Sequence, residues 1–294
     1  MKIVITGSLG NIGRPLATEL IAKGHNVTVI SSKSEKQAEI EEMGAIAAIG
    51  SVQDAGFLAT TFNSADSVFA MIPPNFGALD QIAYYRSVGS AYATAIAASG
   101  VKRVVHLSSY GAHLEKGTGF IVGSHHTESI LNELEDVAIT CLRPGYFFTN
   151  LYSYVGMIKN AGFFGANYGG DDKLILVHPS DIAVVAAEEL TISTIGKNIR
   201  YVASDEHTAS EVAQIIGVAI GKPDLKWLTL TNEQMASGLE KAGLSAHVVA
   251  NLVELGEATH KGKLKEDYEL HKPAVLGKIK LEAFANEFVA SFLR

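Results

Sequence analysis

A single cysteine, Cys141, stands in the 294 residues, so no internal disulfide can form and no cysteine-based metal site can be built. Positive charge is also in short supply: 24 Lys and Arg against 31 Asp and Glu leave a net charge of −7, and the cations form no run. Nucleic-acid binding rests on phosphate neutralisation by a basic surface, so no nucleic-acid partner is expected. Long apolar runs are missing as well. Ile3, Val4 and Ile5 are cut short by Thr6 and Gly7, far from the length of a signal-peptide core. The Ala-rich stretch 91–98 is interrupted and flanked by polar residues, short of the roughly 20 apolar residues of a spanning helix. These absences lead to the expectation of a soluble, cytoplasmic protein with no membrane partner. There is no internal repeat, low-complexity tract or flexible linker.

What is present suits a folded α/β protein. Hydrophobic residues make up 47% and charged residues 19%, a balance that argues against disorder. The length allows one large unit with a smaller one appended. Strand-length apolar runs at 2–6, 26–30, 45–49, 67–72, 103–108 and 138–142 alternate with helical stretches at 13–23, 34–42, 54–62, 79–99 and 126–133. That alternation predicts a doubly wound parallel sheet covered on both faces, the Rossmann arrangement. Gly24, Gly44 and Gly100 stand at helix ends, where a left-handed cap is wanted. The expected division is a dinucleotide-binding domain over residues 1–150 and a smaller α/β substrate-binding region over 151–294, with the chain crossing back to the first domain.

In the second half, 161–172 is rich in Gly and aromatics and reads as a loop over a site, followed by a strand at 173–178 and a helix at 179–190. Thr208 with Glu211, and Thr231 with Gln234, have capping-box spacing and predict helices at 211–220 and 233–242. A last helix is expected over 276–292, with Phe284, Phe288 and Phe292 forming a core-facing stripe.

The chemistry begins at Gly7-Ser8-Leu9-Gly10-Asn11-Ile12-Gly13, between the first strand and the first helix. One glycine permits a sharp turn, the next a close backbone approach to a pyrophosphate, and the third tight helix–strand packing. The free N–H groups and positive dipole end of the helix then face the phosphates. An NAD-preferring site places an acid about 20 residues on, at the end of the second strand. Here Ser31-Ser32-Lys33 stands there, and the first acid is Glu35. Two hydroxyls and an ammonium suit a 2′-phosphate, so NADP(H) is the expected cofactor, with NAD possible. The alternative is that Ser32 and Ser34 only begin the next helix. Asp54 reads either as a residue beside the adenine or as a helix cap.

Several segments in order carry a family resemblance: the Gly7/Gly10/Gly13 loop, residues 66–74, Val104-Val105-His106-Leu107-Ser108-Ser109, Thr127-Glu128, and Thr140-Cys141-Leu142-Arg143-Pro144-Gly145-Tyr146-Phe147. Together they resemble the NmrA-like group of atypical short-chain dehydrogenase/reductases. The resemblance implies that Gly7, Ser8, Gly10, Asn11, Ile12 and Gly13 hold the pyrophosphate, and that Met71, Ile72, Pro73, Ser108, Pro144, Tyr146 and Phe147 surround the nicotinamide end. It also implies a small C-terminal domain that closes a substrate cleft.

The sequence departs from short-chain dehydrogenases at the proton-transfer pair. These enzymes set a Tyr four residues before a Lys that lowers the phenol's pKa. Four positions after Tyr110 stands Leu114, and Ser124 precedes His125 and His126 where the Lys would fall. Tyr268 with Lys272 is a Tyr-x-x-x-Lys match far from the sheet's strand ends and reads as chance. His125 or His126, acting with Tyr110 or Ser108, are the candidates for proton donation; the alternative is that the histidines only face solvent at a helix start. The remaining histidines show no His-x-x-x-His spacing, and no metal is expected. Three functions follow: an NADPH-dependent reductase of a quinone or other small carbonyl or enone compound, a redox sensor that binds NADP(H) and signals through a partner protein, and a nucleotide-sugar epimerase. The expected ligand is a small aromatic or apolar molecule, with Tyr146, Phe147, Phe148, Tyr152, Tyr154, Phe163, Phe164 and Tyr168 as pocket or seam. The oligomeric state is left open between monomer and homodimer.

Overall fold

The computed structural model describes residues 1–75 and 77–294. The chain divides into two compact units, each assembled from several segments: residues 1–112, 123–143 and 182–200 form the first, and 113–122, 144–181 and 201–294 the second.

The first unit is built on β1 (Lys2–Ile5), α1 (Gly13–Ala22), β2 (Asn26–Ser31), α2 (Gln37–Glu42), β3 (Ile46–Ile49), α3 (Ala55–Phe62), β4 (Ser67–Met71), α4 (Gln81–Ser99), β5 (Arg103–Leu107), α5 (Ile121–Asn132) and β6 (Ala138–Pro144). Local chemistry sets several of these bounds. Asp54 and Asp80 cap α3 and α4 by accepting from the backbone N–H of Phe57 and Ala83. Gly100, at φ +75°, ends α4 in the left-handed conformation. Helix α1 turns Leu16, Ala17 and Leu20 inward at helical spacing. Helix α5 starts five residues before the expected 126, because buried Ile121 and Val122 extend its apolar face.

Strands β1 to β6 pair in parallel in the order β6-β5-β4-β1-β2-β3, as the doubly wound reading requires. The order reverses between β1 and β4, the switch point at which such sheets bind ligands beyond their strand ends. A seventh strand, missed in the sequence, joins beyond β6. Val4, Phe62, Val68, Tyr92, Val104, Leu131 and Ile139 belong to the core of this unit.

The chain leaves the first unit after Arg143 and continues through β7 (Tyr146–Phe147), α6 (Val155–Ala161), β8 (Phe164–Ala166) and β9 (Lys173–Val177), then returns to the first unit in α7 (Pro179–Thr191), whose residues from Ile182 onward belong to it. Strand β10 (Lys197–Val202) is the added seventh strand of the large sheet. Then come β11 (Asp205–Thr208), α8 (Ala209–Ala219), β12 (Trp227–Thr229), α9 (Asn232–Lys241), α10 (Ala246–His260), α11 (Glu266–Leu270) and α12 (Leu281–Phe292). In the second unit β9 pairs antiparallel with β11 and parallel with β7, while β8 and β12 form a parallel pair. Both capping boxes are formed, at Thr208/Glu211 and Thr231/Gln234.

The segment 161–172 is a loop only in part: it contains the strand β8, and residues 167–172 lie outside helices and strands. Gly162, at φ +79°, closes α6, and β8 then buries Phe164 and Ala166. Phe164 stacks on Trp227 at 5.0 Å, and the Trp227 indole N–H donates to the Tyr168 carbonyl at 2.8 Å. Phe284 and Phe288 are fully buried, with Phe148 stacked on the first and Tyr152 on the second. Of the aromatics considered for a pocket, Phe148, Phe164 and Tyr168 therefore belong to the core of the second unit, and Tyr146, Tyr152 and Tyr154 pack against it.

Candidate functional site

Four neighbouring parallel strands, β5, β4, β1 and β2, bring Ser108, Met71, Gly7 and Ser31 to one edge of the sheet. At the usual strand spacing the row from Ser31 to Ser108 covers about 14 Å.

The glycine loop follows β1 directly. Gly7 and Ser8 are consecutive left-handed residues, at φ +94° and +57°. The turn is pinned where the Ser8 N–H donates to the Ile30 carbonyl at 2.9 Å. Gly13 packs so tightly that a Cβ there would lie 2.0 Å from the Ser8 carbonyl oxygen; at Gly7 it would lie 2.4 Å from Met71 Sδ. Gly10 and Asn11 are exposed, whereas Ile12 is buried. No side chain caps α1, although α3, α4, α8, α9 and α10 each have one. An uncapped helix start behind a glycine loop leaves donors and a positive dipole end for an anion. The cradle that a Cβ would fill and these donors both fit a pyrophosphate.

At the end of β2 the three residues read together separate into two roles. Ser31 is buried, and its hydroxyl accepts from Ser8 Oγ at 3.0 Å and from the Lys33 N–H at 3.2 Å. It braces the loop against β2. Ser32 and Lys33 are exposed. At the end of β4 the Met71 carbonyl accepts from the Tyr92 hydroxyl at 2.5 Å and the Pro73 carbonyl from Tyr84 at 3.1 Å; Ile72 is buried.

The end of β5 holds a charged cluster that sequence reasoning did not assemble. Ser108 Oγ donates to Glu128 Oε1 at 2.5 Å. Arg143 forks onto the same carboxylate, with Nε to Oε1 at 3.0 Å and Nη2 to Oε2 at 2.6 Å. All three side chains are buried. His106, two residues before Ser108 on β5, donates from Nδ1 to the Ala70 carbonyl at 2.9 Å. Its buried Nε2 finds no hydrogen-bond partner among the described residues. Burial holds the His106 pKa below its ordinary value. Glu128 and Arg143 lie on a helix and a strand 15 residues apart, so their meeting is a tertiary fact. The usable signal was a lone Arg inside an apolar strand, which needs a partner if buried.

Tyr110 is buried, which pushes its phenol pKa well up and makes it a weaker acid. His125 is half-buried, and its Nδ1 donates to the Ala112 carbonyl at 2.9 Å, leaving Nε2 available. The His126 ring sits 5.7 Å away, and burial lowers its pKa, helped by Arg86 and His125. In the second unit Pro144 and Gly145 are buried, and Tyr146 and Phe147 form β7 against β9. A Cβ on Gly145 would meet the Ile175 carbonyl oxygen at 2.3 Å, which accounts for glycine there. Tyr268 and Lys272 do share a contact, since both donate to Glu206 in the second unit. Asp205, His207 and Glu282 place ligand atoms within 4.8 Å of one another, a grouping that no linear spacing announced. Among the described residues no helix is long and apolar enough to cross a membrane.

The sheet order and the loop at its switch point define a Rossmann-type α/β protein. Within that class the chain belongs to the NmrA-like family, whose model matches residues 1–275. An NAD(P)H azoreductase of Xenophilus azovorans is 25% identical over 257 residues, 86% of this chain and 85% of that protein. The structure is similar to that of an NADPH-dependent quinone oxidoreductase from Escherichia coli complexed with NADPH, with a TM-score of 0.82, 20% identity, and 97% and 99% of the two chains covered. It is also similar to the triphenylmethane reductase of Citrobacter sp., at a TM-score of 0.79, 18% identity, and 99% and 100% coverage.

Proposed function

We propose that the chain is an NAD(P)H-dependent oxidoreductase that prefers NADPH and reduces a quinone or another small carbonyl or enone compound. The observation that carries this reading is the glycine cradle at the sheet's switch point, with exposed Ser32 and Lys33 and no acid at the end of β2. The relatives' names, an azoreductase and a quinone oxidoreductase, support the substrate class.

In this reading Gly7 to Gly13 hold the pyrophosphate and Ser32 with Lys33 take the 2′-phosphate, while Ser31 keeps the loop in place. Met71, Ile72, Pro73 and Ser108 border the nicotinamide end along the same edge. The bound cofactor supplies hydride. Hydride transfer to a quinone or an enone leaves a delocalised phenolate or enolate, so reduction of these acceptors requires no Tyr/Lys pair, whereas a simple aldehyde leaves a localised alkoxide that does need a proton donor. Among the groups considered for the proton, Tyr110 is made a weaker acid by burial. His125, with Nδ1 fixed and Nε2 available, is the better placed. Replacing both His125 and His126 by Gln is expected to lower kcat more than it changes KM. Unchanged turnover would remove them from the mechanism.

The test is NADPH oxidation followed by absorbance with a panel of quinones, azo dyes and aldehydes. Consumption with a quinone or azo compound is expected, with aldehydes poor. A second reading, cofactor sensing without turnover, is favoured by the burial of Tyr110. Tight binding with no consumption across the panel supports it over the first.

A further inference from the structure

Ser108 occupies the place from which a serine would be expected to hand a proton to a bound ligand, yet its hydrogen is already committed. Its backbone N–H donates to the Leu142 carbonyl at 2.8 Å, which fixes the residue at the end of β5. Its hydroxyl donates to Glu128 Oε1 at 2.5 Å. That direction is imposed by Arg143. A guanidinium has donors only and keeps its charge, so both carboxylate oxygens that face it must accept. Glu128 and Arg143 are only 6% and 4% exposed, and the guanidinium grips both oxygens of the carboxylate at 3.0 and 2.6 Å, the fork that matches an ionised carboxylate. The serine therefore faces an acceptor that cannot turn round and donate to it. No described residue donates to Ser108 Oγ. Two residues earlier on the same strand, His106 Nε2 is a second buried acceptor, because Nδ1 carries the ring hydrogen.

We infer that Ser108 presents only acceptor lone pairs at the end of β5, and so selects a ligand that carries an N–H or O–H donor there, rather than delivering a proton itself. The inference rests on the functional reading above and assigns Ser108 to recognition within that site. Two sources could supply the donor: the carboxamide N–H of the nicotinamide, or the hydroxyl of a bound hydroquinone-type product. Glu128 and Arg143 act through Ser108 as positioning residues.

The experiment measures binding to the full chain, so it does not depend on turnover. One ligand pair is NADPH and its 3-acetylpyridine analogue, in which a methyl ketone replaces the carboxamide and no N–H remains. The other is a hydroquinone and its dimethyl ether, titrated onto chain saturated with NADP. Ser108→Ala is expected to weaken the donor-bearing member of one pair by roughly 3- to 10-fold and its donor-free counterpart by less than roughly twofold. Ser108→Thr, which keeps the hydroxyl, is expected to restore the difference, and a thermal melt confirms that both variants fold. Equal losses within both pairs, or no loss in any ligand, overturn the inference. So does a loss confined to the donor-free members, the mark of a serine that donates. Wild-type chain that fails to bind NADPH overturns the functional reading instead, which keeps the two failures distinct.

Discussion

Glu206 illustrates how much one side chain can gather. Its carboxylate accepts from Lys173, Lys272 and the hydroxyl of Tyr268. Burial pushes its pKa up, but those three donors outweigh it and hold the group at about 2, against an ordinary 4.5. A depressed folded-state pKa stabilises the fold above the unfolded value, and that contribution is lost as pH falls through the folded value. The melting temperature of Glu206→Gln is therefore expected to lie below wild type at neutral pH, with the gap closing between pH 4.5 and about 2. A gap that stays constant with pH would mean that Glu206 acts through packing alone. Gly13 makes the opposite kind of contribution, by having no side chain. With a Cβ 2.0 Å from the Ser8 carbonyl oxygen, Gly13→Ala must move the loop or the helix. Titration is expected to show NADPH affinity reduced by roughly tenfold or more, the scale of hydrogen bonds to a charged group.

Elements whose ends are fixed by neighbours in sequence were the most legible. The Thr208 and Thr231 boxes follow from a three-residue spacing, and both are formed as expected. They differ in what they secure. Helix α8 buries Val212, Ala213 and Ile216, whereas α9 buries none of its residues. Thr208→Ala is accordingly expected to cost about 1 kcal/mol of global stability in denaturant unfolding. Thr231→Ala should instead speed amide exchange in α9 with little global loss. Strand β10 escaped notice because Lys197, Asn198 and Ile199 are exposed and Arg200 half-buried, which leaves little apolar alternation to read. Its place in the sheet comes from pairing at long range. The strand within 161–172 was missed for a related reason: the mix of glycines and aromatics reads as a loop, while Phe164 and Tyr168 are held in place by Trp227, which lies far along the chain.

At the scale of the molecule, the doubly wound sheet was legible because six strands alternating with five helices repeat one simple pattern. The glycine loop was legible because Gly7 to Gly13 are contiguous, and the positive φ at Gly7 and the tight packing at Gly7 and Gly13 are what that spacing requires. Ser108, Glu128 and Arg143 were each visible as family marks, but their cluster was not, since only the fold brings β5, α5 and β6 together. The same holds for Ser31, whose brace to Ser8 spans 23 residues. The account as a whole stands on the exposed pair Ser32 and Lys33 beside an uncapped α1, a combination that favours a dinucleotide with a 2′-phosphate. The measurement that tests this most directly is a side-by-side titration of the full chain with NADPH and NADH. Tighter binding of NADPH by roughly tenfold or more is expected; equal affinity, or tighter binding of NADH, would contradict it.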